Sequence, residues 1–243
     1  MQRPKLKPEE RIILALDFPE HEIAIDWVEK LKSRIKTFKV GPILFLNSGS
    51  EGLKEFSNLG VDVFLDLKFH DIPSTVEKTA RQSVRFGANM FTIHTLGGYE
   101  MMKAVSDAVK EEAEKLSYPK PLVLGVTVLT SHDKESLEQI GISTSTQDTV
   151  MNLATLAEKA NVDGLVCSGV EVEALRREFS DRFTLVVPGI RPGTANHDQK
   201  RVTTPAEAVS KGADYLVIGR AITEADNPEE VVDEIVESIS SID

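Results

Sequence analysis

The 243-residue chain carries 39 acidic against 28 basic side chains, a net charge of −11 and a pI near 5.0. That balance argues against nucleic acid or an anionic membrane as the main partner, yet leaves room for a small anion in a locally basic pocket. Hydrophobic residues make up 41%, enough for a sizeable core, no run approaches the roughly 18 apolar residues of a membrane span, and the one cysteine, Cys167, excludes an intramolecular disulfide. Behind the basic start at residues 1–7 no signal-type apolar core follows, so a cytoplasmic protein is expected. In chain order, residues 11–17 form a short apolar run ending in Asp17, and Pro19 opens a segment whose Ile23, Trp27, Val28, Leu31 and Ile35 recur at helical spacing. Thr37–Val40 is a second run, followed by Gly41-Pro42 and a helical pattern over about 48–59. Residues 61–65 are the third run, backed by a helical face of Ile72, Val76, Ala80 and Val84 that stops at Gly87. Met90–His94 is the fourth, and Gly97-Gly98 leads into a long helix with Met101, Val105, Ala108, Val109 and Leu116.

The fifth run, 121–128, precedes the longest interruption, 129–147, which is rich in Ser, Thr and Asp and holds a short helix near Lys134–Gln139. Val150, Leu153, Ala154 and Ala157 mark the next helix. Residues 164–167 are the sixth run, with Val172, Leu175 and Phe179 behind it. Residues 183–187 are the seventh, then come a polar Gly/Pro loop over 189–200 and a helix around 205–211. Tyr215–Ile218 is the eighth, and 228–239 closes the chain as a helix with Val231, Ile235 and Ile239 inward. Runs that read as continuous Val/Ile/Leu, rather than alternating, mark a parallel sheet covered on both faces. Eight β/α units in this length make an α/β chain with one domain over residues 1–243, a (β/α)8 TIM barrel; no Gly/Ser-rich linker divides it. An open doubly wound sheet would need a Gly-rich first turn, and the turn Asp17-Phe18-Pro19-Glu20 has no glycine.

In such a barrel the site lies at the C-terminal strand ends. Those ends present Asp17, Lys39, Asp66 with Lys68, His94, residues 127–130, Cys167 with Ser168, residues 188–191, and Gly219-Arg220. The densest stretch is Asp66-Leu67-Lys68-Phe69-His70-Asp71-Ile72-Pro73-Ser74-Thr75. On a pleated strand Asp66 and Lys68 point the same way, and Pro73 forbids a central strand from continuing. The stretch is either a salt-bridged strand end or a charged catalytic array. Lys39 and Lys68 would repel each other, as would Asp66 and Asp71, unless the four alternate in sign. Gly189, Arg191 and Gln199 in the seventh loop and Gly219-Arg220 in the eighth fall where this barrel usually holds phosphate. The five histidines are scattered and form no metal cluster: His70 reads as an exposed loop residue, His94 as a hydrogen-bonded packing residue. Cys167 reads as a small buried hydrophobe, and Trp27 and the methionines as core.

These residues resemble the D-x-K-x-x-D-I-P-x-T signature of the orotidine 5′-phosphate decarboxylase family. Leu16-Asp17, Phe38-Lys39-Val40-Gly41, Leu129-Thr130-Ser131, Pro188-Gly189-Ile190-Arg191, Gln199 and Ile218-Gly219-Arg220-Ala221-Ile222 fit it in order, over nearly the whole chain. The resemblance implies conversion of orotidine 5′-monophosphate to uridine 5′-monophosphate and carbon dioxide, the last step of de novo pyrimidine nucleotide biosynthesis, without a cofactor or metal. It implies Lys68 as the ammonium that stabilises charge at C6 and then protonates it, and Asp66 beside the substrate carboxylate, where it also orients Lys68. Lys39 and Asp17 would reach the ribose, Thr130 the pyrimidine, and Arg191, Gln199, Gly219 and Arg220 the phosphate, with Ile72 and Pro188 among the further substrate contacts. Asp71 and Thr75 would enter the neighbouring subunit's site, so a homodimer is implied, with neither nucleic acid nor membrane as partner. D-x-K-x-x-D also suits metal-dependent 3-keto-gulonate 6-phosphate decarboxylases and hexulose-phosphate isomerases. A barrel that merely binds a nucleotide or sugar phosphate is the reading from another class.

Overall fold

The computed structural model describes residues 5–192 and 203–242; Gln199, expected at the phosphate, lies outside them. After a 3-10 turn at Pro8–Arg11 the order is β1 (Ile12–Leu16), α1 (His21–Leu31), β2 (Thr37–Val40), α2 (Pro42–Asn58), β3 (Asp62–Phe69), α3 (Pro73–Arg85), β4 (Met90–His94), α4 (Gly98–Leu116) and β5 (Leu122–Val126). It continues with α5 (Lys134–Gln139), α6 (Thr146–Lys159), β6 (Gly164–Val166), α7 (Val172–Phe179), β7 (Thr184–Pro188), α8 (Pro205–Ser210), β8 (Tyr215–Ile218), α9 (Arg220–Thr223) and α10 (Pro228–Ser240). The strands pair in sequence order and β8 returns to β1, closing the barrel. Every pairing is parallel: Leu14 of β1, for example, lies in register with both Phe38 and Ile218.

The strands read as unbroken apolar runs because both of their faces are buried. Ile12, Leu14 and Leu16 point outward into the layer shared with the helices. Ile13, Phe64, Met90, Leu124, Val186 and Tyr215 point inward and fill the barrel. Alternate residues therefore serve two cores, and neither face is polar until the strand ends.

Polar side chains fasten the opposite, N-terminal end. The residue just before β4, β6 and β8 is Asn89, Asp163 or Asp214. Each accepts a backbone N–H of the preceding strand: Val63 to Asn89 Oδ1 at 2.8 Å, Val123 to Asp163 Oδ2 at 2.9 Å, and Leu185 to Asp214 Oδ2 at 2.7 Å. At the β1/β8 junction Arg11 Nη1 donates to the carbonyls of Ala213 at 3.3 Å and Asp214 at 3.5 Å.

Several expected helix faces shift. In α1 the buried residues are Ala24, Val28 and Leu31. Ile23 is exposed, and Trp27 is not core but half-buried, stacked on Phe18. The expected 48–59 helix begins earlier, at Pro42, because Gly41 ends β2 and the proline suits a first helical turn; Gly49, at φ 58°, then interrupts it. Ile72 precedes α3 instead of joining its buried face and is 64% exposed. In α10, Val232 takes the inward place expected of Val231.

Candidate active site

The charged array begins with an irregularity in β3. Leu65 pairs with Phe91 and Phe69 with Ile93, so β3 advances four residues while β4 advances two. Asp66, Leu67 and Lys68 therefore face Thr92 alone, a bulge that re-aims side chains and kinks the strand. Lys68 adopts φ 50°, the left-handed region that a residue with a Cβ seldom enters. The expectation that Asp66 and Lys68 meet through ordinary alternation at a strand end is thus corrected: they meet inside the strand, through a bulge. Lys68 Nζ donates to Asp66 Oδ1 and Oδ2, both at 3.0 Å.

The array extends across three strands. Lys39 Nζ donates to Asp17 Oδ1 at 2.9 Å and lies 3.7 Å from Asp66 Oδ2. The order is Asp17, Lys39, Asp66, Lys68, alternating in sign and summing to no net charge. Burial is deepest in the middle: the Lys39 and Asp66 side chains are 10% and 13% exposed, Lys68 35% and Asp17 56%. At such depth each charge needs its opposite neighbour, because desolvation would outweigh an isolated one. Gly41 stands directly behind: a Cβ there would come within 3.2 Å of both Asp17 Oδ1 and Lys39 Nζ. Asp71 does not join the cluster of its own chain as expected. It is exposed beyond the bulge, where its Oδ1 accepts the N–H of Ile72 at 2.6 Å.

A cavity of about 290 Å³ opens at this array. Its floor is the inward apolar set Ala15, Phe64, Val126, Val166 and Val217, and Asp17, Lys39, Asp66 and Lys68 form one side. Thr130, Cys167, Pro188, Gly189, Ile190, Arg191, Gly219 and Arg220 also line it. Strand ends one, two, three, five, six, seven and eight thus converge on one space; the fourth, expected to join them with His94, does not line it. Asp71, Ile72 and Thr75 do not line it; all three are exposed.

Burial pushes the Cys167 thiol well above its ordinary value, so it is wall and not nucleophile. His94 is lowered to about 4 by burial and by the neighbouring His70, Lys68 and His132. Its ring stacks on that of the exposed His70, with centroids 5.3 Å apart. The expected hydrogen-bonded role of His94 fails in part: its buried Nδ1 has no hydrogen-bond partner among the described residues. Among those residues no group of three or more His, Cys, Asp or Glu side chains gathers as a metal-holding set.

Sequence reasoning passed over Thr92 and the cavity floor, and named Gly41 only as part of a matching segment. The inward parity of the strands, counted back by two from Asp17 and Asp66, would have found Ala15 and Phe64; nothing in the sequence flags the bulge that brings Thr92 into play.

A family model described as orotidine 5′-phosphate decarboxylase / HUMPS family matches residues 10–235. The orotidine 5′-phosphate decarboxylase of Nitrosococcus oceani is 46% identical over 233 residues, covering 96% of this chain and 98% of its own length. That of Pseudoalteromonas translucida is 44% identical over 230 residues, covering 94% and 97%. Among solved structures, orotidine 5′-phosphate decarboxylase from Lactobacillus acidophilus matches with a TM-score of 0.84 at 32% identity, covering 95% of this chain and 99% of that one.

Proposed function

The chain belongs to the orotidine 5′-phosphate decarboxylase / HUMPS family, and from that membership we propose that it converts orotidine 5′-monophosphate to uridine 5′-monophosphate and carbon dioxide without a cofactor, as a cytoplasmic homodimer. The observation that carries the reading is the alternating Asp17, Lys39, Asp66, Lys68 array at a cavity that also holds Arg191 and Arg220. A site that only bound an anionic ligand would gain nothing from the deeply buried carboxylate of Asp66.

The bond from C6 to the carboxylate carbon breaks, its electron pair stays on C6, and carbon dioxide departs. Lys68 Nζ stabilises the developing negative charge and then gives C6 its proton, to be reprotonated from solvent. Asp66 holds that ammonium through both oxygens and sits beside the substrate carboxylate. Like charges about 4 Å apart repel by roughly 4 kcal/mol at an effective dielectric near 20, and this repulsion is relieved as neutral carbon dioxide forms. Lys39 and Asp17 reach the ribose, Thr130 meets the pyrimidine with Pro188 beside it, and Arg191, Gln199, Gly219 and Arg220 take the phosphate. Binding energy from that remote group is available to organise the reacting end. Loss of orotidylate ultraviolet absorbance on adding the enzyme, undiminished by excess chelator, is the expected result. No loss refutes the activity, and loss abolished by the chelator refutes the metal-free reading.

The dimer reading rests on placement. Asp71 and Thr75 are exposed and outside the cavity of their own chain. Ile43, Leu46, Ile72, Leu96, Tyr99 and Ile140 are likewise exposed, on segments that follow four consecutive strands, β2 to β5. A self-complementary face of this kind would carry Asp71, Ile72 and Thr75 into the partner's cavity. Mixed Lys68→Ala and Asp71→Ala subunits, each inactive alone, should regain about a quarter of wild-type activity. Random pairing makes half the dimers mixed, with one of two sites intact. No recovery from subunits shown to exchange would refute a shared site.

A further inference from the structure

Asp66 and Lys68 owe their mutual position to a residue on the neighbouring strand. The bulge leaves Asp66, Leu67 and Lys68 opposite Thr92 alone, so the Lys68 N–H cannot use the regular ladder. Thr92 Oγ1 accepts it at 2.9 Å and lies 3.0 Å from Asp66 Oδ1. An ionised carboxylate only accepts, and a hydroxyl has one hydrogen to give. The hydroxyl therefore accepts from the Lys68 backbone and donates to Asp66. Thr92 is fully buried, so water cannot take over either bond. One oxygen thus fixes both the backbone of the ammonium-bearing residue, held at φ 50°, and the carboxylate to which that ammonium is tied.

We propose that Thr92 is a positioning residue for the reaction, setting Lys68 Nζ against the reacting carbon by locking the β3 bulge and aiming Asp66. It touches neither substrate nor cavity; it acts through the other two. The inference rests on the decarboxylase reading and deepens it. Without the hydroxyl, Lys68 loses the acceptor that holds its left-handed turn and Asp66 loses one of its donors. A displacement of about 1 Å at a reacting group is enough for a loss on the order of 10²-fold.

The test compares Thr92→Ser with Thr92→Ala, which share the loss of the methyl group and differ by the hydroxyl alone, with Thr92→Val as the variant that keeps the volume. With orotidine 5′-monophosphate, Thr92→Ala and Thr92→Val should lose about 10²-fold in kcat, with KM and affinity for uridine 5′-monophosphate within about threefold of wild type, because the phosphate end is untouched. Thr92→Ser should recover most of the rate. Equal kcat for the Ser and Ala variants, or a loss confined to KM, overturns the proposal, since a merely structural role would follow the shared methyl. If Thr92→Val does not fold, the Ser/Ala pair decides. Wild-type enzyme without decarboxylase activity would instead sink the functional reading, and is told apart by being seen before any substitution is made.

Discussion

Lys68→Ala is expected to lower kcat by about 10⁴-fold or more while leaving affinity for uridine 5′-monophosphate within about tenfold. The substitution removes a general acid, a contribution of about 10²–10⁴, and with it the positive charge nearest C6, of the kind that contributes roughly 10²–10³. It also leaves Asp66 with Thr92 and the more distant Lys39 as partners, so an unrelieved carboxylate faces the incoming substrate carboxylate. The product has no carboxylate at C6, and on the proposed assignment its phosphate and ribose hold it, so its affinity should change far less than the rate. Lys68→Arg separates the two roles: a guanidinium keeps a charge but does not release a proton near neutral pH, so it should exceed the alanine variant by roughly the 10²–10³-fold of the charge and stay about 10²-fold or more below wild type for want of the acid. Steady-state rates beside calorimetric affinities for uridine 5′-monophosphate make the measurement. Turnover of either variant within tenfold of wild type would remove Lys68 from the role of acid.

Arg220→Ala should act on the phosphate, in the opposite pattern. The loss of one charge-assisted grip on a phosphate is worth about 1.5–3 kcal/mol, or about 10–150-fold in affinity for uridine 5′-monophosphate, whereas uridine should bind the variant and the wild type alike to within about twofold. Arg220 lines the cavity from the segment after β8, the strand that pairs with β1. If phosphate binding helps to assemble the reacting end, kcat should fall as well as KM rise. Parallel titrations of nucleotide and nucleoside into both proteins measure this. Equal losses for the two ligands would place Arg220 elsewhere than at the phosphate.

The strand plan was legible because each run had to be apolar on both faces, and eight such runs separated by helical patterns admit few closed arrangements. Met90–His94 and Tyr215–Ile218 emerge with the expected bounds. The convergence of Asp17, Lys39, Asp66 and Lys68 was legible for the same reason: parallel strands in a closed barrel bring all their C-terminal ends to one rim. What was hidden is the register of β3 against β4. Nothing in Asp66-Leu67-Lys68 announces that three residues will face one, because a bulge is decided by the neighbouring strand and by a hydroxyl 26 residues away in sequence. The same limit explains Asp71, which charge counting alone puts in the array and which the turn after the bulge carries outward. The burial of Val232 in place of Val231, and the exposure of Ile23, turn on where a helix axis settles over its neighbours, a tertiary matter that spacing alone leaves free by about one residue.

The three side-chain fastenings at the N-terminal end also set where the disorder of the unfolded chain is given up. The bonds from Val63 to Asn89, Val123 to Asp163 and Leu185 to Asp214 each bridge 26 to 40 residues, one strand–helix–strand length. The contacts of Arg11 across the β1/β8 junction bridge 202 and 203. Loop-closure entropy grows only with the logarithm of length, yet that ratio makes the last junction costlier than any of the three by about 1–2 kcal/mol. The ring is therefore three short, self-latched lengths and a first strand pair, with the long-range cost of circularity gathered at one seam. Because β1 lies at that seam, so does Asp17, the outermost member of the charged array. Asp66 and Lys68 on β3 stand two strands away, inside a latched length, so local opening at the seam reaches the Asp17 end of the array before it reaches Lys68.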